Sequence, residues 1–137
     1  MVKHEIVERK LSQIKKSLHK IAGYRELSCD EFIAHPVARD VVEYNLFIII
    51  NSMIDIASHI VTDDKLGEVD VLSDGFVILA ECGYWSKEQA KVFVTMVAFR
   101  NMLSHQYAAV NPDVVYDILQ NKLGDIDLFV GRILDSM

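Results

Sequence analysis

Residues 36–61 read PVARDVVEYNLFIIINSMIDIASHIV, and after the opening proline this stretch contains neither Gly nor Pro. Because proline fits the first turn of a helix and breaks its interior, the pattern predicts one long helix that ends near Val61. Between Leu46 and Ile60 apolar residues lie nearly all round that helix, which is typical of a helix covered by others. Its conspicuous polar interruptions are Asn45, Asn51 and Asp55. We therefore expect this helix at the centre of the protein.

Helical patterns also occupy the flanking segments. From residue 4 to about residue 22, apolar residues recur at steps of four and three and form one narrow seam, made of Val7, Leu11, Ile14, Leu18 and Ile21. Further helix starts are indicated by Ser28 with Glu31, by Ser73-Asp74, by Ser86-Lys87-Glu88-Gln89 and by Asn111-Pro112. These signals predict a short helical turn, a short helix that stops at Gly83, a helix that reaches at least Ser104 and a last helix that runs to about Ser136.

No alternation of apolar and polar residues is sustained long enough for a strand. The last helix should bury one side, formed by Val115, Ile118, Leu119, Ile126, Phe129 and Ile133. We predict an all-α fold, most simply an antiparallel bundle of four long helices plus one or two short helices, in a single domain of residues 1–137.

The charge is unevenly distributed along the 137 residues, although the net charge is −6. Residues 1–25 hold seven basic and two acidic residues, a local charge of +5, whereas the other 112 residues carry −11. The basic segment is interpreted either as a solvated helix face or as a docking surface for RNA or an acidic protein.

The composition indicates a globular protein, because 51% of the residues are hydrophobic and Gly and Pro together number eight. No apolar run approaches the length of about 18 residues needed to span a membrane. The charged start of the chain and two lone cysteines, Cys29 and Cys82, favour a cytoplasmic location and no membrane partner.

Motifs of several enzyme classes are absent from the sequence, namely the phosphate-binding Walker loop, the dinucleotide glycine fingerprint, HExxH and GxSxG. Asp55 and His59 stand four residues apart on one helix face, but two ligands do not make a metal site, so they are interpreted as a hydrogen-bonded structural pair. Cys82, beside Glu81, has no sequence-adjacent histidine, so a small buried thiol is the expected role. We expect no metal and no cofactor.

The stretch from Arg100 to Tyr107 reads RNMLSHQY and carries the polar groups best suited to chemistry. At about 100° per residue its polar side chains fall in one wedge at the end of a helix, made of Arg100, Ser104, Asn101 and His105. The opposite, core-facing arc would consist of Val92, Met96, Phe99, Met102 and Leu103. If the helix continues, the Tyr107 hydroxyl returns to the Arg100 side.

An arginine beside a histidine is what metal-free cleavage of RNA needs. The imidazole of His105 can take a proton from a ribose 2′-OH or give one to the leaving oxygen, and the guanidinium of Arg100 can hold the extra charge on phosphorus. The spacing by itself also fits a helix end at which both side chains bind water or carbonyl groups.

The pattern Arg100-Asn101-x-x-x-His105-x-Tyr107 resembles the RX4HXY signature of the HEPN superfamily, and specifically of its HepT-like toxins. The likeness covers about residues 36–135, since the remaining elements follow the family's order: the apolar helix with Asn51, Asp55-Ile56-Ala57 and His59, the short helix with Leu79, and the helix after Asn111-Pro112.

This resemblance implies an all-α homodimer that acts as a metal-independent endoribonuclease. It implies that Arg100 and His105 are the catalytic pair and that Asn101 is a supporting polar residue. Ser104, in the same polar wedge, is predicted as a second supporting residue. The implied partner is an MntA-like nucleotidyltransferase antitoxin, which adds AMP to the motif tyrosine, here Tyr107.

Three hypotheses follow. In the first, the protein is the ribonuclease toxin of a type VII-like toxin–antitoxin pair and cuts RNA, not DNA, at a dimer cleft where two Arg100/His105 sets face each other. In the second, it is a non-catalytic subunit that binds a nucleotide or a nucleotidyltransferase and presents Tyr107 to it. In the third, it is a structural helical dimer without a ligand.

Overall fold

The computed structural model describes residues 4–105 and 110–137, with the main chain alone for His105. The helices are α1 (His4–Ala22), α2 (Cys29–Ile33), α3 (Pro36–Asp63), α4 (Asp74–Glu81), α5 (Lys87–His105), α6 (Pro112–Asn121) and α7 (Leu123–Ser136), with a 3-10 turn at Gly23–Glu26 after α1. No strand occurs within the described ranges. The prediction of an all-α fold is confirmed.

Helix α3 lies at the centre, as its sequence predicts. Its side chains Leu46, Ile49, Met53 and Ile56 are fully buried. Helix α1 lies along it with the apolar seam inward, and α2, α4, α5 and α6 cover its other sides. By length and composition α3 is the one helix of the described chain that could cross a membrane, but 61% of its most apolar window is buried inside the protein. It is therefore the core helix of the bundle.

Several helix starts use the predicted caps. Ser28 and Glu31 form a complete capping box at α2, and the Asn111 side chain accepts the backbone N–H of Asp113 at α6. At α5 only half of the expected box forms: the Ser86 hydroxyl accepts the Gln89 N–H. The Gln89 amide instead donates to Asp125 at 3.0 Å.

The start of α4 differs from the prediction. Ser73 makes no capping bond with its side chain. The carboxylate of Asp74 accepts the backbone N–H groups of Asp70 and Val71, at 2.9 and 3.0 Å, and so holds the preceding loop.

The predicted last helix is divided in two. Lys122, with φ −116° and ψ −3°, ends α6 and precedes α7, where one continuous helix was expected. Side chains on both sides of the break, Leu119 and Leu123 among them, are buried. The bend therefore lets two shorter apolar faces follow the core. Position 122 is neither Gly nor Pro, so the sequence there gives no signal of a helix end.

An aromatic cluster joins α4, α5 and α7. The rings of Phe76, Trp85, Phe93 and Phe129 lie 5.0 to 6.3 Å apart by their centroids. The Trp85 indole N–H donates to the Phe76 carbonyl at 2.9 Å, so its polar atom is satisfied inside the core. This packing anchors the first half of α5 and thereby places the second half, which carries the polar wedge, against α3.

Candidate functional site

The Arg100 side chain is held in one orientation by three contacts. Its Nε donates to Asn51 Oδ1 of α3 at 2.6 Å, and its Nη1 donates to Asn101 Oδ1 at 3.1 Å. The guanidinium carbon lies 5.2 Å from the centroid of the Phe47 ring, within cation–π distance. Because a guanidinium has five N–H donors, these bonds leave three for another acceptor. A fixed, half-buried arginine with free donors is suited to binding a phosphate.

Arg100 forms one wall of a cavity of about 460 Å³. Helix α3 supplies most of its lining, namely Tyr44, Phe47, Ile48, Asn51, Ser52 and Asp55. Helix α1 contributes Lys10 and Gln13 to the lining. The cavity thus combines two aromatic rings with a mostly polar lining that holds two cations, Lys10 and Arg100, and one carboxylate, Asp55.

Ser104 lies beyond this cavity. It is exposed and lines a neighbouring cavity of about 440 Å³ together with Leu103 of α5. The two cavities share Tyr44 and Phe47 on their common border.

The cavity that contains Ser104 also contains two acids, Asp40 and Glu43. Burial raises the pKa of the Glu43 carboxyl above its usual value, against an opposing effect of Arg39. The two cavities therefore differ in charge, since Lys10 and Arg100 outnumber Asp55 in one, whereas Asp40 and Glu43 are the charged residues of the other.

Two of the predicted site residues lie partly or wholly outside the part of the chain that the structure describes. His105 is the last residue of α5, so its main chain continues the helix that carries Arg100, and its side chain lies outside the described residues. Tyr107 lies outside them altogether.

The predicted apolar arc of α5 is confirmed except at one position. Met96 and Phe99 are buried, and Val92 and Leu103 pack partly against the core. Met102 is 46% exposed, so its placement in the core was wrong. A helical wheel gives only the angle of a side chain round the helix and not how far along the helix the neighbouring elements pack.

The interpretation of Asp55 and His59 as a pair was wrong. Asp55 forms an ion pair with Lys10 of α1 at 3.0 Å, and His59 Nδ1 lies 4.0 Å from Asp63 on the next turn of α3. Each group has a partner that helical spacing alone does not reveal.

Cys82 is exposed rather than buried, since it follows the last residue of α4. Among the described residues no group of three or more His, Cys, Asp or Glu side chains could hold a metal ion.

Sequence reasoning assigned no role to Asn51 and Phe47, which position the arginine. One signal for Asn51 was available, because it is a polar interruption in an otherwise apolar helix. Such a residue is costly to bury without a partner, and its partner here is the Arg100 guanidinium, 49 residues further along the chain.

A helical bundle that presents an arginine in this way, with a histidine and a tyrosine five and seven residues further along, is a HEPN protein. The sequence profile of the family "Ribonuclease HepT-like" matches residues 14–133. The chain therefore belongs to the HepT-like ribonuclease family.

Individual relatives agree with this assignment. The mRNA nuclease HepT of Shewanella oneidensis is 29% identical over 131 residues, which cover 95% of this chain and 97% of the relative. The tRNA nuclease HepT of Aphanizomenon flos-aquae is 26% identical over 128 residues, which cover 93% and 87%. A solved structure of the tri-AMPylated Shewanella oneidensis HEPN toxin in complex with MNT antitoxin superimposes with a TM-score of 0.85 at 28% identity, and covers 95% of this chain and 97% of the toxin.

Proposed function

We propose that this protein is a metal-independent endoribonuclease and the toxin of a toxin–antitoxin pair. The observation that carries the proposal is the fixed Arg100 guanidinium, which Asn51 and Asn101 orient while its other three N–H groups bind no acceptor among the described residues and line a cavity. The helix that presents it ends at His105, the expected acid–base group. The related mRNA and tRNA nucleases support RNA as the substrate class.

In the proposed reaction, the ribose 2′-oxygen attacks the neighbouring phosphorus and the bond from phosphorus to the 5′-oxygen breaks. The imidazole of His105 accepts the 2′-OH proton, and the leaving 5′-oxygen takes up a proton from a second acid. Arg100 stabilises the additional negative charge on the phosphoryl oxygens. The products are a 2′,3′-cyclic phosphate and a 5′-hydroxyl. DNA lacks the 2′-OH and is not cleaved by this route.

A homodimer would supply the second acid. If two copies of residues 1–137, each a single domain, place their Arg100/His105 sets in one cleft, one histidine accepts the proton while the other donates one. Asn101 holds Arg100, and Ser104, on the exposed side of α5, would contact the substrate.

The proposed partner is an MntA-like nucleotidyltransferase antitoxin in the cytoplasm. The related Shewanella oneidensis toxin is AMPylated and bound to MNT antitoxin, which supports the same control here. The modified atom would be the Tyr107 hydroxyl. A phosphate attached there would pair with Arg100 and compete with the phosphate of the substrate.

The test is RNA cleavage by the purified protein in EDTA. We expect cleavage to a 2′,3′-cyclic phosphate or its 3′-phosphate product, and a loss of about 10²- to 10⁴-fold in His105→Ala and in Arg100→Ala with an unchanged fold. Cleavage that needs added Mg²⁺, or that persists in His105→Ala, would contradict the proposal. An intact nucleotidyltransferase interaction without any cleavage would favour the non-catalytic binding subunit.

A further inference from the structure

The Arg100 cavity has a second cation, which the proposed chemistry does not use. Lys10 of α1 also lines this cavity and pairs with Asp55 at 3.0 Å. The Lys10 side chain keeps 25% of its surface exposed and that of Asp55 keeps 49%. Because Asp55 is half exposed, water screens this pair, so Lys10 can give up this partner for a stronger anion.

Further basic residues continue along the same flank of α1. At about 100° per residue, Arg9, Lys16 and Lys20 fall between about 80° and 120° round the helix from Lys10, on the side of Gln13. All three are exposed, and none forms an ion pair with another described residue. We call Arg9, Lys10, Lys16 and Lys20 the basic flank. From Lys10 at the cavity to Lys20, ten positions further along α1, the flank extends about 15 Å.

An exposed aromatic ring stands at the border of the cavity. Tyr44 is 66% exposed and lines both the Arg100 cavity and its acidic neighbour. A large aromatic ring exposed beside an arginine offers a stacking surface for an unpaired base. Because Asp40 and Glu43 line the neighbouring cavity, they disfavour continuation of the phosphate backbone beyond Ser104 and favour its exit past Lys10.

We propose that the basic flank of α1 and Tyr44 form the binding track that guides single-stranded RNA into the Arg100 cavity. Lys10 binds the phosphate next to the scissile one in exchange for Asp55. Tyr44 stacks on a base of the same segment, and Arg9, Lys16 and Lys20 attract the phosphates beyond it. This inference rests on the proposed function, since it takes RNA as the ligand of the Arg100 site.

The experiment measures binding separately from cleavage. A labelled single-stranded RNA of mixed sequence is titrated by fluorescence anisotropy with the full chain carrying His105→Ala, so that the RNA stays intact. Lys10→Gln, Lys16→Gln, Lys20→Gln and Tyr44→Ala are introduced one at a time. The matched control is Lys15→Gln, because Lys15 is exposed on α1 but lies about 140° from Lys10 in the opposite direction.

We expect each lysine change on the basic flank to weaken binding and to lower the slope of log K against log salt by about 0.7, the value for one lost phosphate contact. Tyr44→Ala should weaken binding on the order of tenfold, and Tyr44→Phe should restore it, because the ring and not the hydroxyl stacks. Asp55→Asn should tighten binding, since it frees Lys10 and removes a repelling charge. A purely structural ion pair would not produce that gain.

The outcomes separate the two proposals. Equal effects of Lys10→Gln and Lys15→Gln, or no RNA binding at all, would overturn the binding track. Lysine variants that no longer bind a co-expressed MntA-type nucleotidyltransferase but still bind RNA would also overturn the binding track. In that case the basic flank would be a protein-docking surface. RNA binding with the expected pattern, but no cleavage by the protein with His105 intact, would overturn the proposed function and leave the track in place.

Discussion

Replacing Asn51 by Ala should impair catalysis through Arg100 while the fold survives. The Asn51 oxygen accepts the Arg100 Nε–H at 2.6 Å, and the other two restraints are Asn101 and the Phe47 ring. A hydrogen bond to a charged group contributes about 1.5–3 kcal/mol. If that free energy holds the guanidinium in its reactive position, kcat/KM should fall roughly 10- to 100-fold, mainly through kcat.

The assay is RNA cleavage under single-turnover and steady-state conditions, with the thermal midpoint of each variant measured in parallel. Asn121→Ala is the matched control, because Asn121 bonds Asp117 on the surface of α6, away from the site. Asn51→Asp keeps the acceptor but adds a negative charge, so it should raise KM more than it lowers kcat. Wild-type kcat/KM in Asn51→Ala, at a well-folded midpoint, would refute the positioning role.

Four further outcomes are expected. Light scattering at tens of micromolar should give a homodimer, and a strict monomer would exclude a shared cleft. Tyr107→Phe should keep most of the ribonuclease activity but gain no AMP mass when incubated with an MntA-like nucleotidyltransferase, ATP and Mg²⁺; equal inhibition of this variant would contradict control at the hydroxyl. The backbone N–H of Ser28 lowers the pKa of Glu31 below 4.5, with a further contribution from the Ser28 side chain. The stabilisation by ionised Glu31 is thus present above pH 4.5 and is lost as the pH falls through the lowered pKa of the folded state. Glu31→Gln should therefore lower Tm at neutral pH and have no effect in strong acid. A difference in Tm that does not depend on pH would refute this linkage. Trp85→Phe should lower the free energy of unfolding by about 1–3 kcal/mol in urea titrations, because it removes the buried indole hydrogen bond to the Phe76 carbonyl and part of the aromatic packing; no change would show that neither contributes.

Most of the helices could be predicted from the sequence, because interactions between neighbouring residues determine where they form. The uninterrupted apolar stretch after Pro36 predicted α3, and the Ser28 and Asn111 caps mark helix starts that the structure contains. Side-chain spacing and capping act within one or two turns, so they can be read from neighbouring residues. The break at Lys122 could not be read in this way, because it follows from how two apolar faces meet the core.

The motif from Arg100 to His105 was likewise visible as spacing along one helix, and its family likeness pointed to RNA cleavage. What the sequence could not supply was the partner of each polar group. Asn51 meets Arg100 across 49 positions, and Lys10 meets Asp55 across 45, because antiparallel packing against α3 brings them together. Pairings between helices depend on crossing geometry and register, which no single helix encodes. The sequence by itself therefore determined which groups are available, and the tertiary structure decided which of them share a cavity and which way the arginine points.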